Sequence, residues 1–266
     1  MRKYVFLAVV VTVIYFFQSF FLPTGGIGAD SLSYFGIASD LPQLKTNLFP
    51  LGFPVLIKIF HFIFQDYFWA GKILNISMVT MILLFSYVKK FYFRETVLLF
   101  AGKTFFFAFN LVISEGLFLF LLYFLFYLFY ERFQDKISSR HFVFYASAIL
   151  ILLFTVRYSG IYIYLGTGVF WLWMLLRRRI FAFQKDLLKV LVVSGAGIIA
   201  YLGFNYFVYG SFTGEHLRGA PARIYPVYVV RNILAMVNII DPFIGIKPAS
   251  NTFVSIAFQV GLMLID

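Results

Sequence analysis

Residues 4–22 form an uncharged, mostly apolar run preceded by Arg2 and Lys3. Six more apolar runs follow at residues 67–88, 96–109, 113–130, 141–156, 160–176 and 187–208. A helix needs about 20 residues to cross the hydrocarbon core, so runs of this length and number leave one kind of fold. Within lipid every backbone polar group must be satisfied inside its own segment, which selects helices over open strands. Charge agrees with this, because only 12% of residues are charged and 62% are hydrophobic, whereas a soluble domain carries about 25% charged residues. The expected fold is all-α: a polytopic helical membrane protein of about seven or eight transmembrane helices, with residues 1–266 forming a single transmembrane domain.

The net charge of +11 does not point to nucleic acid, because the basic residues fall in short clusters between the runs, where they orient helices in a membrane. Zero cysteines exclude disulfides, thiolate metal sites and a cysteine nucleophile. The first run is longer than the roughly 7 to 15 apolar residues of a signal peptide and reads as an uncleaved anchor with a cytoplasmic amino terminus, Gly28-Ala29 being a weak cleavage signal. If each run crosses once, one side receives Lys89, Lys90 and Arg94, then Arg132, Lys136 and Arg140, then Arg177, Arg178, Arg179, Lys185 and Lys189. That is the cytoplasmic side by the positive-inside rule.

This alternation holds only if residues 52–65 do not cross, so they are expected to lie at the surface or re-enter it. Residues 96–109 are short for a bilayer and are joined to 113–130 by Asn110, Leu111 and Val112. Their junction is therefore expected below the outer surface, shielded by protein or lining a wet cavity, with Ser114 and Glu115 beside it. The exterior side then holds a long first loop, residues 23–66, carrying surface-lying helices, and a second segment, residues 209–252. Ser31 is placed to cap a short helix reaching Ala38, with Leu32, Phe35 and Ser39 along one side, and Asp30 at or just before its amino end.

Four pieces, in order, resemble the GT-C superfamily of integral-membrane glycosyltransferases. Asp30 follows the first span, with Tyr34 four residues later. Asn47, Pro50, Gly52, Phe53 and Pro54 resemble the family's proline, glycine and aromatic segment opening a surface-lying helix. Ser114-Glu115 opens a span after a short helix pair, and Arg157 precedes Gly160 at the outer end of a later span. The resemblance covers roughly residues 1 to 210. It implies sugar transfer on the outer membrane face, from a polyprenyl-phosphate donor to a hydroxyl of a lipid, glycan or protein, with Asp30 matching the family's catalytic base.

Such a reaction needs a carboxylate to take the acceptor's proton and cations to hold the departing lipid phosphate. Asp30 can supply the first; Arg157, Arg218 and Arg223 are candidates for the second, since arginine's planar fork suits phosphate oxygens. Tyr34, Glu115 and Lys103 are supporting candidates, with Lys103 or Arg157 as possible partners for Glu115. The plainer roles are a helix cap for Asp30, a surface turn for Asp40, an ion pair for Glu115 and snorkelling for Arg157. His216 beside Glu215 could ligate a metal, but the first loop has no Asp-x-Asp or Asp-x-Glu pair, so no metal or other cofactor is expected.

Relatives of the GT-C kind continue with more helices than follow residues 253–265, so the chain reads as a fragment or a minimal member. Two rival functions stand beside the transferase: a transporter or lipid flippase, which calls for internal repeats around a midplane site, and a non-catalytic membrane subunit on the same scaffold. A cavity at Asp30 open both to the exterior and sideways to lipid separates the transferase from the scaffold.

Overall fold

The computed structural model describes residues 2–177, 181–214 and 217, apart from 21 and 23. Every regular element among them is helical. The helices are α1 (Arg2–Phe17, continued by a 3-10 turn, Gln18–Phe20), α2 (Ala29–Asp40), α3 (Gly52–Phe64), α4 (Tyr67–Lys89), α5 (Phe93–Ala101), α6 (Lys103–Asn110), α7 (Ser114–Phe133), α8 (Ser139–Val156), α9 (Gly160–Leu176) and α10 (Phe181–Tyr209).

Five of these segments, α1 with its turn, α4, α7, α8 and the greater part of α10, are long and apolar enough to cross a membrane; α3 and α9 are shorter apolar helices. Their outward faces are rich in large apolar side chains such as Phe62, Leu176 and Phe207, a surface suited to hydrocarbon and not to water. The inward faces form two cores. One gathers α1 to α6 around the first half of α7, with Tyr15, Tyr34, Phe53, Ile57, Val79 and Phe109 buried. The other joins the second half of α7 to α8, α9 and α10 through Leu125, Phe142, Leu150 and Leu187.

The ends of the bundle differ in charge. At one end Arg132 reaches both Asp135 (2.5 Å) and Asp186 (3.0 Å), tying α7 to α10, while Ser139 Oγ donates to Asp186 Oδ1 (2.5 Å) and brings in α8. Phe91, in the α4–α5 turn, packs on Tyr127 and Tyr130 of α7 at the same end, so Lys89, Lys90 and Arg94 belong there too. At the opposite end lie the start of α7, the end of α8 and the whole of α2.

The run 96–109, read as one short span, is two helices broken at Gly102, whose extended backbone (φ −77°, ψ 145°) ends α5 and starts α6. The junction that follows is buried within protein. Gln18 Nε2 donates to the Asn110 carbonyl (3.0 Å), Asn75 Nδ2 to the Leu111 carbonyl (2.8 Å), and Val112 N to the Gly26 carbonyl (3.0 Å). A broken helix in an apolar setting exposes backbone groups that cost several kcal/mol each if left unpaired, and the two amide side chains and the Gly26 carbonyl supply partners. Gly26 holds a left-handed φ of +91°, and a Cβ there would stand 2.7 Å from the Asn110 carbonyl oxygen, so glycine is required on both counts.

Gly71 of α4 packs directly on Val112, and an added Cβ would overlap the valine's Cγ1 while keeping 3.4 Å from its Cβ. Gly71→Ala is expected to destabilise the protein by about 1–3 kcal/mol, and Val112→Ala added to it should recover much of that loss. Thermal unfolding of the purified single and double variants in detergent checks the pair; independent, additive losses would mean that this contact does not hold the junction.

Candidate active site at the rim of the bundle

Helix α2 begins one turn earlier than the serine signal suggests. Gly28 is its N-cap and Ser31 is the third helical residue, its Oγ accepting from Gly28 N (2.9 Å) in the manner of a capping box. Asp30 therefore lies in the first turn, where the helix dipole favours its charge. The buried side of α2 is Ser31, Tyr34, Ile37 and Ala38, while Leu32 is exposed. Leu32, Phe35 and Ser39 share one side, as their spacing requires, but it is the outer side: Leu32 and Ser39 are exposed and Phe35 is half-buried.

Tyr34 is buried (1% exposed) and its hydroxyl shares a 2.7 Å hydrogen bond with Ser114 Oγ at the start of α7. Its ring meets Phe53 edge-on (5.0 Å, 87°) and tilts against Phe49 (4.7 Å). Arg157 is the C-cap of α8, where a cation opposes the helix's partial negative charge. Its Nη1 donates to Ser114 Oγ (3.0 Å) and pairs with Glu115 Oε1 at 2.5 Å. Of the two partners open to Glu115, the structure selects Arg157. Glu115 Oε2 is buried and has no hydrogen-bond partner among the described residues.

These groups border a cavity of about 290 Å³ lined by Asp30, Tyr34, Phe49, Pro50, Val156, Arg157, Tyr158, Ser159 and Tyr162. Its wall is held in place from three sides. Tyr158 Oη donates to the Asn47 carbonyl (3.0 Å), and Asn47 Nδ2 donates to the Ser211 carbonyl and hydroxyl (3.0 Å each). Asn205, fully buried in α10, donates to Tyr158 Oη (3.2 Å) and to the Phe212 carbonyl (2.9 Å). Gly52 lets the start of α3 touch the end of α8, for a Cβ there would fall 2.7 Å from the Thr155 carbonyl oxygen.

The structure thus brings Asp30, Tyr34 and Arg157 to one cavity, with Glu115 behind Arg157. Lys103 opens α6, two turns from Asn110 and about 10 Å along the axis, and does not line the cavity. Arg218, Arg223, Glu215 and His216, with nearly all of the expected second loop 209–252, lie outside the described residues. Among the described residues no three His, Asp or Glu side chains gather as a metal site would need.

Several contributors escape a motif reading. Tyr162 and Ser159 are ordinary residues at the start of an apolar helix, and nothing in their sequence setting marks them. Asn205 carried a usable signal, since a lone amide in an apolar run is costly unless bonded. The same signal marks Lys72, which is buried in α4 with no hydrogen-bond partner for Nζ among the described residues.

Chemically, the cavity offers one exposed carboxylate, one guanidinium and the phenols of Tyr34, Tyr158 and Tyr162. Burial pushes the Tyr34 phenol up to about 12, against smaller opposing effects of the Ser114 hydrogen bond and the Arg157 charge. Tyr34 is therefore a hydrogen-bonding group and not a base. Comparison with models of known families, with curated proteins and with solved structures finds no match.

An unfolded tyrosine ionises near its ordinary value of 10 and folded Tyr34 near 12. Its contribution to stability is therefore complete below pH 10 and is lost as pH rises through 12. Unfolding followed between about pH 9 and 12 should show this decline in the wild type and a shallower one in Tyr34→Phe. Equal slopes would remove Tyr34 from the buried network.

Proposed function

We propose that this chain is an integral-membrane glycosyltransferase of the GT-C type, with seven or eight membrane passes. It moves a sugar from a polyprenyl-phosphate donor to a hydroxyl acceptor on the exterior face. The observation that carries the reading is that Asp30 and Arg157, 127 positions apart, line the same rim cavity. A base and a phosphate-binding cation are the two groups that the reaction requires. The resemblance of the four sequence pieces supplies the donor class, and the basic opposite end of the bundle supports an exterior cavity by the positive-inside rule.

In this mechanism the acceptor hydroxyl gives its proton to the Asp30 carboxylate as its oxygen bonds to the anomeric carbon. The bond from that carbon to the phosphate oxygen breaks, and the lipid phosphate leaves with the electron pair. Arg157 meets the charge that grows on that oxygen, a role of greatest worth in the transition state. Its Nη1 is held by Glu115 and Ser114, whereas Nη2 donates no hydrogen bond among the described residues, which leaves one side of the fork for phosphate. Arg218 and Arg223 are further phosphate ligands in this proposal. Glu115 is the positioning residue: its charge is committed to Arg157, which leaves Asp30 as the base.

Asp30→Asn is expected to lower transfer from labelled polyprenyl-phosphate sugars by about 100-fold or more, with lipid-phosphate binding kept. Arg157→Gln should weaken both. Transfer by Asp30→Asn at the wild-type rate, measured with purified protein in vesicles, would eliminate the base assignment.

A further inference from the structure

Between α8 and α10 the side of the bundle carries an open groove of about 690 Å³. Arg140, Phe144, Ala148 and Ile151 belong to its α8 wall, and Lys189 and Val193 to its α10 wall. Spacings of three and four residues put each set on one helix face. Ser147 lies on the floor, buried, with its hydroxyl donating to the Val190 carbonyl of α10 (3.4 Å). A Cβ on Gly197 of α10 would overlap Ile151, so the two helices close the groove at that end. From Arg140 to Ile151 is about 16 Å along the helix axis, close to the roughly 15 Å of hydrocarbon in one leaflet.

The other end of the groove is charged. Arg140 stands in the first turn of α8, where the helix dipole opposes a cation and favours an anion. Its guanidinium forms no ion pair or hydrogen bond among the described residues. Lys189 is 62% exposed and 3.8 Å from Asp186, a carboxylate already held by Arg132 (3.0 Å) and Ser139 (2.5 Å), so its charge is only loosely paired. Two other lateral grooves, between α1 and α4 and between α7 and α9, are lined by no charged side chain. Those can take any acyl chain, whereas two cations at the mouth of an apolar trough select by charge.

We propose that the α8–α10 groove is a binding site for a diacyl phospholipid of net negative charge. The headgroup phosphate lies between Arg140 and Lys189, and one acyl chain runs past Phe144, Ala148 and Val193 to Ile151. Arginine's fork suits the phosphate oxygens. The bound lipid spans two helices and so joins α8 to α10 beside the Ser139–Asp186 bond.

The experiment measures binding of dioleoyl phosphatidylglycerol and dioleoyl phosphatidylcholine, which share their acyl chains and differ in net charge, to the full chain freed of lipid in a neutral detergent. Wild type is expected to prefer phosphatidylglycerol by about 10- to 30-fold. Arg140→Gln combined with Lys189→Gln should cut the preference to about twofold or less. Ala148→Leu, which fills the groove from α8, should weaken both lipids. Lys89→Gln combined with Lys90→Gln removes the same charge from the same end but off the groove, and should keep the wild-type preference. Arg157→Gln, at the opposite rim, should keep it too.

Equal binding of the two lipids by wild type would show a seat for bulk lipid and overturn the proposal. So would an undiminished preference in the Arg140 and Lys189 double variant, or an equal loss in the Lys89 and Lys90 pair, which would assign it to the general charge of that end. Binding of both lipids unaltered by Ala148→Leu would remove the acyl path. Displacement of phosphatidylglycerol by inorganic phosphate, or by polyprenyl phosphate more readily than by unlabelled phosphatidylglycerol, would give the groove to a different ligand and also overturn it.

Discussion

Glu115 and Arg157 are two opposite charges at the edge of an apolar bundle, and their 2.5 Å contact is the constraint around which the rim is arranged. Both side chains are about a third exposed (31% for Arg157, 38% for Glu115), so solvent screens their attraction and the pair acts mainly by fixing geometry. Pairing fixes the start of α7 against the end of α8. Ser114 extends the link to Tyr34, so α2 is tied into the same network. Each helix end carries the sign its dipole favours, acids at the starts of α2 and α7 and the cation at the end of α8. One chain of contacts therefore sets the position of Asp30 relative to Arg157.

That chain depends on a backbone feature deeper in the bundle. Helices α6 and α7 are separated by a three-residue break whose carbonyls and N–H are satisfied by Gln18, Asn75 and Gly26. Without those partners the segment would gain more by continuing as helix, and Ser114 and Glu115 would turn away from Tyr34 and Arg157. Buried amides from α4 and from the turn after α1 are in this sense part of the site, although neither touches the cavity. The cavity's walls differ in kind, aromatic at Tyr34 and Phe49 and polar at Arg157 and Ser159. The bundle presents the cavity at one end, while its other end is tied by the Arg132–Asp186–Ser139 cluster, which joins three helices.

The sequence by itself determined the helical class, most helix positions, and the segregation of basic residues to one end, because hydrocarbon burial and backbone satisfaction depend on local composition and length. It also marked Asp30, Tyr34, Ser114, Glu115 and Arg157, through the four pieces that resemble the GT-C family and, for Glu115, through the cost of an unpaired charge near a junction in apolar surroundings. It did not reveal the break at Gly102, the true start of α2 at Ala29, or the parts of Tyr162 and Asn205. A glycine break and a helix's packed face have meaning only against neighbours far away in the chain. Which partner each charge takes was likewise decided by the tertiary structure, since Arg157 reaches Glu115 and Lys103 lies two turns off along α6, a choice made by helix packing and invisible to any local pattern.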